Sequence, residues 1–103
     1  MANQESASAP DGFEWDDEKA ESNERKHQVS FPEAVTVFDD ELAAMLNVQD
    51  TSGEMREVTI GRSILGRVLV VVTTERADVM RVISARKATA AERRTYQEGS
   101  NES

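Results

Sequence analysis

Between Arg76 and Tyr96 the chain sets arginines around an apolar strand pattern. Arg76, Arg81 and Arg86 bracket Val79-Met80 and Val82-Ile83, and the run continues through Lys87 to Glu92, Arg93, Arg94 and Tyr96. A guanidinium carries a planar fork of donors that matches phosphate geometry, so a row of them on a rigid sheet suits an anionic ligand. The chain as a whole is acidic, with a formal net charge of -8 over 103 residues. A basic cluster on a strand therefore stands out from its background, and RNA is the leading candidate for the anion.

Charge divides unevenly. Residues 1–57 hold 15 acids against 4 bases, net -11, whereas residues 58–103 hold 5 acids against 8 bases, net +3. Acidic helices that keep the protein in solution account for the first half. The second half is where an anion-binding face would lie, and the net negative charge argues against avid non-specific binding. Cysteine is absent, which excludes a disulfide framework and a thiolate zinc site. No P-loop, dinucleotide glycine motif or zinc spacing is present, so neither a metal nor another cofactor is expected. No signal peptide is visible, and the longest apolar run, Val68 to Val72, is too short for a bilayer. The expectation is a soluble cytoplasmic protein.

A single domain from 12 to 98 is expected, between polar tails at 1–11 and 99–103. Phe13-Glu14-Trp15 alternates as a short edge strand. Asp16 suits the N-cap of a helix running to about His27, with Arg25, Lys26 and His27 complementing its dipole. Ser30-Phe-Pro-Glu33 fits a capping box that opens a second helix through Phe38. Strands are expected at about 42–48, 56–63, 68–74 and 79–85, with 49–54 as a loop. Val68 to Thr74 is apolar on both faces, as in a central strand. Thr89-Ala-Ala-Glu92 is another capping box, opening a last helix. The fold class is α+β, an antiparallel β-sheet meander packed against helices in the order β-α-α-β-β-β-β-α, with the helices expected on one face.

These pieces together resemble the BrnT-type toxins of bacterial type II toxin–antitoxin systems. The resemblance is carried by Phe13-Glu14-Trp15-Asp16, Asn23-Glu-Arg-Lys26-His27-Gln-Val-Ser-Phe31-Pro-Glu33-Ala34 and Val37-Phe38-Asp39-Asp40. It continues through Glu54-Met-Arg56, Gly61-Arg62, Val68–Thr73, Arg81-Val-Ile-Ser-Ala-Arg86-Lys-Ala, Glu92-Arg93 and Tyr96. Gln28 stands where that family often has a helix-stopping glycine. The resemblance implies a RelE-like fold and a metal-independent RNA endonuclease. It also implies inhibition by a ribbon-helix-helix antitoxin (BrnA-like), a hetero-oligomer with it, and operator DNA binding only indirectly, through that antitoxin. A catalytically decayed member keeping only the antitoxin interaction is the alternative.

Metal-free RNA cleavage needs a base for the 2′-hydroxyl proton, positive charge around the phosphorane and an acid for the departing 5′-oxygen. His27, the single histidine, is a candidate acid or base; otherwise it only satisfies a helix dipole. Arg81 and Arg86 are the candidate catalytic arginines, with salt bridging to the acidic helices as the competing role. Five positions apart, they fall on opposite faces of a regular strand, and converge only past a strand end or across a bulge. Lys26, Arg62 and Arg76 are candidate phosphate ligands. Lys26 points about 100° away from His27 on a helix. Tyr96 shares the Glu92 helix face and can stack on a base or pack the helix onto the sheet.

Overall fold

The computed structural model of the chain describes residues 9–51 and 53–101. Its elements are β1 (Phe13–Glu14), α1 (Asp17–His27), α2 (Phe31–Val35) with a 3-10 turn at Thr36–Asp39, β2 (Ala44–Thr51), β3 (Glu54–Arg62), β4 (Val68–Arg76), β5 (Val79–Lys87) and α3 (Ala90–Asn101). The order matches the sequence expectation. The tails expected at 1–11 and 99–103 fall partly on residues 1–8 and 102–103, outside the described residues. Of the remainder, Ala9 packs against the core and α3 continues to Asn101.

One sheet holds the strands in the order β1-β5-β4-β3-β2. β2 to β5 form the antiparallel meander, and β1 pairs with β5 in parallel, so the sheet is mixed. The ladder of β2 and β3 runs on through Gln49, Asp50 and Thr51, where a loop was expected. Main-chain pairing in an exposed ribbon does not depend on apolar side chains, and alternation is a poor guide there.

The helices do not share one face. Leu69, Val71, Val82 and Ala85 point toward α1 and α2 and join Trp15, Val29, Phe31 and Val37 in one buried cluster. Their alternating neighbours Val68 and Val70 point the other way, packing with Ile60, Ala88 and Tyr96 under α3. The reason lies in β4. A strand apolar on both sides leaves several buried-type residues wet unless each face is covered, at about 25 cal/mol per Å².

The local signals act largely as physical chemistry dictates. Asp16 accepts from the Lys19 N–H at 3.1 Å and caps α1. Ser30 accepts from the Glu33 N–H at 3.2 Å. The Glu33 carboxylate does not reach back to Ser30, however; it turns to Ser63 and Arg67. Asn23, buried in α1, spans both main-chain groups of Ala85, donating to its carbonyl at 2.8 Å and accepting its N–H at 3.1 Å. Two-residue β1 is too short to pair that stretch of β5, and the amide takes its place. Gly61 in β3 is required by close approach: a Cβ there would lie 2.7 Å from a Val37 methyl carbon.

α1 ends at Gln28, whose φ of 57° puts a non-glycine residue in the left-handed region. Its N–H closes the helix on the Glu24 carbonyl at 2.9 Å. Gln28→Gly removes the Cβ conflict at a cap where glycine is favoured. The expected gain is about 0.5–1 kcal/mol, read as a thermal midpoint higher by roughly 3–6 °C. An unchanged or lower midpoint would mean that the glutamine side chain compensates for its backbone.

Candidate active face of the sheet

A β-bulge decides which arginines meet. Val72 pairs with Ser84 and Thr73 with Val82, leaving Ile83 as an extra residue in β5. The insertion shifts the alternation by one, so Arg81 and Arg86 emerge on the same side, opposite Thr74 and Val70 respectively. Four β4 positions separate their partners, or about 13 Å along the strand.

Register then gathers more. Arg56 pairs with Thr74, Thr74 with Arg81, and Arg81 with Glu14, so these residues form one row across the sheet. Arg56 and Arg81 flank Thr74 two strands apart, at about 10 Å. Arg76, two residues beyond Thr74, and Arg62, two beyond Ile60, lie on this side as well. Five arginines (56, 62, 76, 81 and 86) thus share the face that α3 only partly covers.

Carboxylates stand among them. Arg81 Nη1 donates to Glu14 at 3.0 Å. Arg86 grips Glu92 with both terminal nitrogens, at 2.8 and 3.0 Å. Arg56 and Arg76 share Glu54 at 3.4 and 3.6 Å. Arg56 Nε is shielded from solvent and has no hydrogen-bond partner among the described residues. Such a donor invites a ligand oxygen.

Glu92 closes its capping box in both directions, receiving the Thr89 N–H at 2.9 Å while the Thr89 hydroxyl accepts the Glu92 N–H at 3.1 Å. The Arg86 hydrogen bonds, outweighing burial and helped by Thr89, hold its carboxyl at about 2. A lowered folded-state pKa contributes stability that is complete above about pH 4.5 and is lost as pH falls toward 2. Arg86 is partly solvated, so screening reduces the contribution to about 1–2 kcal/mol. Glu92→Gln should therefore unfold more easily than the parent at pH 7, and the two should converge near pH 2 in urea titrations. A constant difference across that range would refute the ionic origin.

Tyr96 does not offer a surface for a base. It is only 7% exposed, its hydroxyl donates to Asp40 at 2.6 Å, and the Arg62 guanidinium covers its ring at 5.6 Å. It packs α3 onto the sheet. Burial alone would raise the Asp40 carboxyl, yet donation from Tyr96 and from the N–H groups of Arg62 and Leu42 outweighs it and lowers its pKa. Asp40 thus ties α3 to β3.

His27 and Lys26 end α1, exposed, on the opposite side of the sheet from Arg81 and Arg86. Among the described residues the partners of Arg81 and Arg86 are Glu14, Glu92 and the Lys87 carbonyl, not the imidazole. α1 packs through Asn23 and Ala20 on the Leu69/Val71 side, and its cap residue Gln28 accepts from Arg67 Nη2 at 3.0 Å.

Sequence reasoning passed over three residues here. Arg56 was legible, since it alternates with Val58 and Ile60. Glu14 emerges only from the β1 register. Arg67 meets Glu33 through Nε at 3.0 Å, and nothing in the local pattern joins residues 34 apart. Among the described residues no group of three or more His, Cys, Asp or Glu is placed to hold a metal ion, and no helix is long and apolar enough to cross a membrane.

Comparison with known proteins agrees with this architecture. The crystal structure of the Brucella abortus ribonuclease toxin, BrnT, superposes with a TM-score of 0.57 at 23% identity, over 73% of this chain and 92% of that one. That likeness supports the fold. No curated protein matches the chain. Residues 15–92 match the family described as ribonuclease toxin, BrnT, of type II toxin-antitoxin system. With most of its length inside that match, from Trp15 through the Arg81–Arg86 bulge to Glu92, the chain belongs to the BrnT family of ribonuclease toxins.

Proposed function

We propose that this toxin is an RNA endonuclease that works without a metal on the arginine face of its sheet, in the cytoplasm. The observation that carries the reading is the five-arginine face, assembled by the Ile83 bulge and by the Arg56–Thr74–Arg81 row. Phosphoryl chemistry that proceeds through a dianionic phosphorane is accelerated by fixed positive charge around the equatorial oxygens. Arg81 and Arg56 flank one position where a phosphate can sit, and Arg86 and Arg76 extend the track on either side. The Glu14 carboxylate lies 3.0 Å from the Arg81 guanidinium, on the side away from Thr74, and would take the 2′-hydroxyl proton of a nucleotide whose phosphate Arg81 holds, with water protonating the departing 5′-oxygen. His27 has no part in this reading.

The carboxylate partners do not close the site. Partly exposed ion pairs are worth about 0–1 kcal/mol, so a phosphate that offers charge-assisted bonds can displace them. The same pairs favour the second reading, a family member that binds its antitoxin but no longer cleaves, if they hold against RNA.

A ribbon-helix-helix antitoxin that covers this face would inhibit by occlusion, giving a hetero-oligomer with operator DNA bound through the antitoxin. The experiment is induction of the chain alone, paired with cleavage of RNA by the purified protein in EDTA. Growth arrest with EDTA-resistant cleavage is the expected result. Harmless induction with intact RNA would leave the non-cleaving reading. Cleavage abolished by EDTA and restored by a divalent ion would overturn metal independence.

A further inference from the structure

A second basic site lies at the end of the sheet, away from the Arg56–Arg81 row. A cavity of about 220 Å³ opens between the β3–β4 turn, the end of β5 and the first turns of α3. Four of its lining residues are cations, Arg62, Arg67, Lys87 and Arg93, and among the described residues no acidic side chain lines it. They come from three separate stretches of a chain whose net charge is -8. Chance clustering of solvated bases along one helix does not account for that convergence.

The cations are held in different ways. Arg62 Nη1 donates to the Gly66 carbonyl at 3.0 Å, and Arg93 Nη1 to the Ala88 carbonyl at 3.2 Å. Each is thereby oriented by a neutral acceptor, and Arg62 also lies over the Tyr96 ring. Arg67 is neutralised by Glu33, which lies beneath it and is buried. Asp40 lies near Arg62 but spends its oxygens on Tyr96 and on main-chain N–H groups. Lys87 makes no ion pair among the described residues; Glu33 acts on it only at longer range. Uncompensated positive charge therefore remains at Lys87 and Arg93, with Arg62 between them and the arginine face.

The cavity is below the roughly 300–1,000 Å³ of drug-sized sites. It admits one phosphate with part of its sugar, not a whole nucleotide with its base. We propose that this pocket is a subsite for a backbone phosphate of the RNA, distinct from the cleavage row and holding the strand in register on the sheet. The proposal rests on the RNA reading above. Arg62, which sits on the arginine face and also lines the pocket, connects the two places.

The test uses Lys87→Gln/Arg93→Gln in the full chain, both side chains being exposed and outside the core. Binding of a single-stranded RNA oligonucleotide is measured by fluorescence anisotropy against salt concentration. Losing the one phosphate held there should lower the log–log salt slope by about 0.7 and weaken binding by at least roughly tenfold at low salt. Inorganic phosphate, titrated into 15N-labelled protein against a chloride control, should shift the amides of Gly66, Arg67, Val68 and Ala88 saturably, and fail to do so in the variant.

An unchanged RNA affinity and slope would overturn the subsite even if the parent cleaves RNA normally. A variant that loses antitoxin affinity while RNA binding holds would assign the pocket to an acidic protein segment and also overturn it. Should the parent neither bind nor cleave RNA, the failure lies with the RNA reading. Saturable phosphate shifts in that case would leave an anion site with its RNA assignment refuted.

Discussion

Arg81→Gln is expected to slow RNA cleavage by about 10²–10³, the usual cost of removing one preorganised group that stabilises transition-state charge. The residue stands in the centre of the row, between Thr74 and Glu14, where both the phosphate and its proton acceptor would lie. Folding should survive the change. The pair lost is a partly exposed one, with the Arg81 side chain 26% and Glu14 40% accessible, and such pairs contribute about 0–1 kcal/mol. A midpoint within a few degrees of the parent is therefore expected. Arg56→Gln should act in the same direction. The double variant should lose less than the product of the two, because both groups serve one phosphate. His27→Ala is the informative contrast, for His27 ends α1 in the helix layer and cleavage should continue at the parental rate. An inert His27→Ala protein beside a fully active Arg81→Gln protein would move the chemistry to the helix layer and end the present assignment.

The grounds for that assignment were only half legible in the sequence. The type and order of elements followed from caps and periodicity: Asp16, Ser30 and Thr89 each open a helix where their side chains accept a main-chain N–H. Arg81 and Arg86 could be named because they interrupt an apolar strand. Whether they share a side could not be, since a bulge at Ile83 is a property of pairing between two strands and leaves no composition mark. The helix layers show a similar limit. Apolar residues on both sides of β4 demanded two covers, yet proximity in sequence suggested one. His27 is named by its chemistry, as the single imidazole, and that chemistry says nothing about where α1 ends. The path of α1 across the other side of the sheet is set by Asn23 and the core, and neither speaks about the imidazole. Long-range polar contacts were the least legible of all, as with Glu33, whose capping-box spacing pointed to Ser30 when its carboxylate serves residues 30 and 34 positions away.

That misread carboxylate carries the largest expected effect on stability. Glu33 is 7% exposed and accepts from Ser63 Oγ at 2.6 Å and Arg67 Nε at 3.0 Å, and Arg67 also donates to the Gln28 carbonyl at 3.0 Å. One side chain thus ties α2, the α1 cap and the β3–β4 turn together. Hydrogen bonding from Arg67, outweighing burial and assisted by Ser63, holds its pKa below the usual carboxylate value. Glu33→Ala would leave a guanidinium and a hydroxyl without their acceptor. Breaking a buried pair costs about 3–5 kcal/mol; Arg67 is one-third exposed and keeps Gln28, so the lower end, about 3 kcal/mol, is expected. For a domain of this size that is a midpoint lower by roughly 12–24 °C. Because the folded-state pKa is lowered, the contribution should be complete above about pH 4.5 and fade as pH falls further. A second variant separates charge burial from lost packing: Glu33→Leu with Arg67→Met removes both ionic partners, and should recover most of the loss, since apolar replacement of a whole pair is close to neutral. A Glu33→Ala loss under about 1 kcal/mol would show that the network behaves as a solvated surface pair, and that the short helix α2 is fixed by Phe31, Ala34 and Val35 alone.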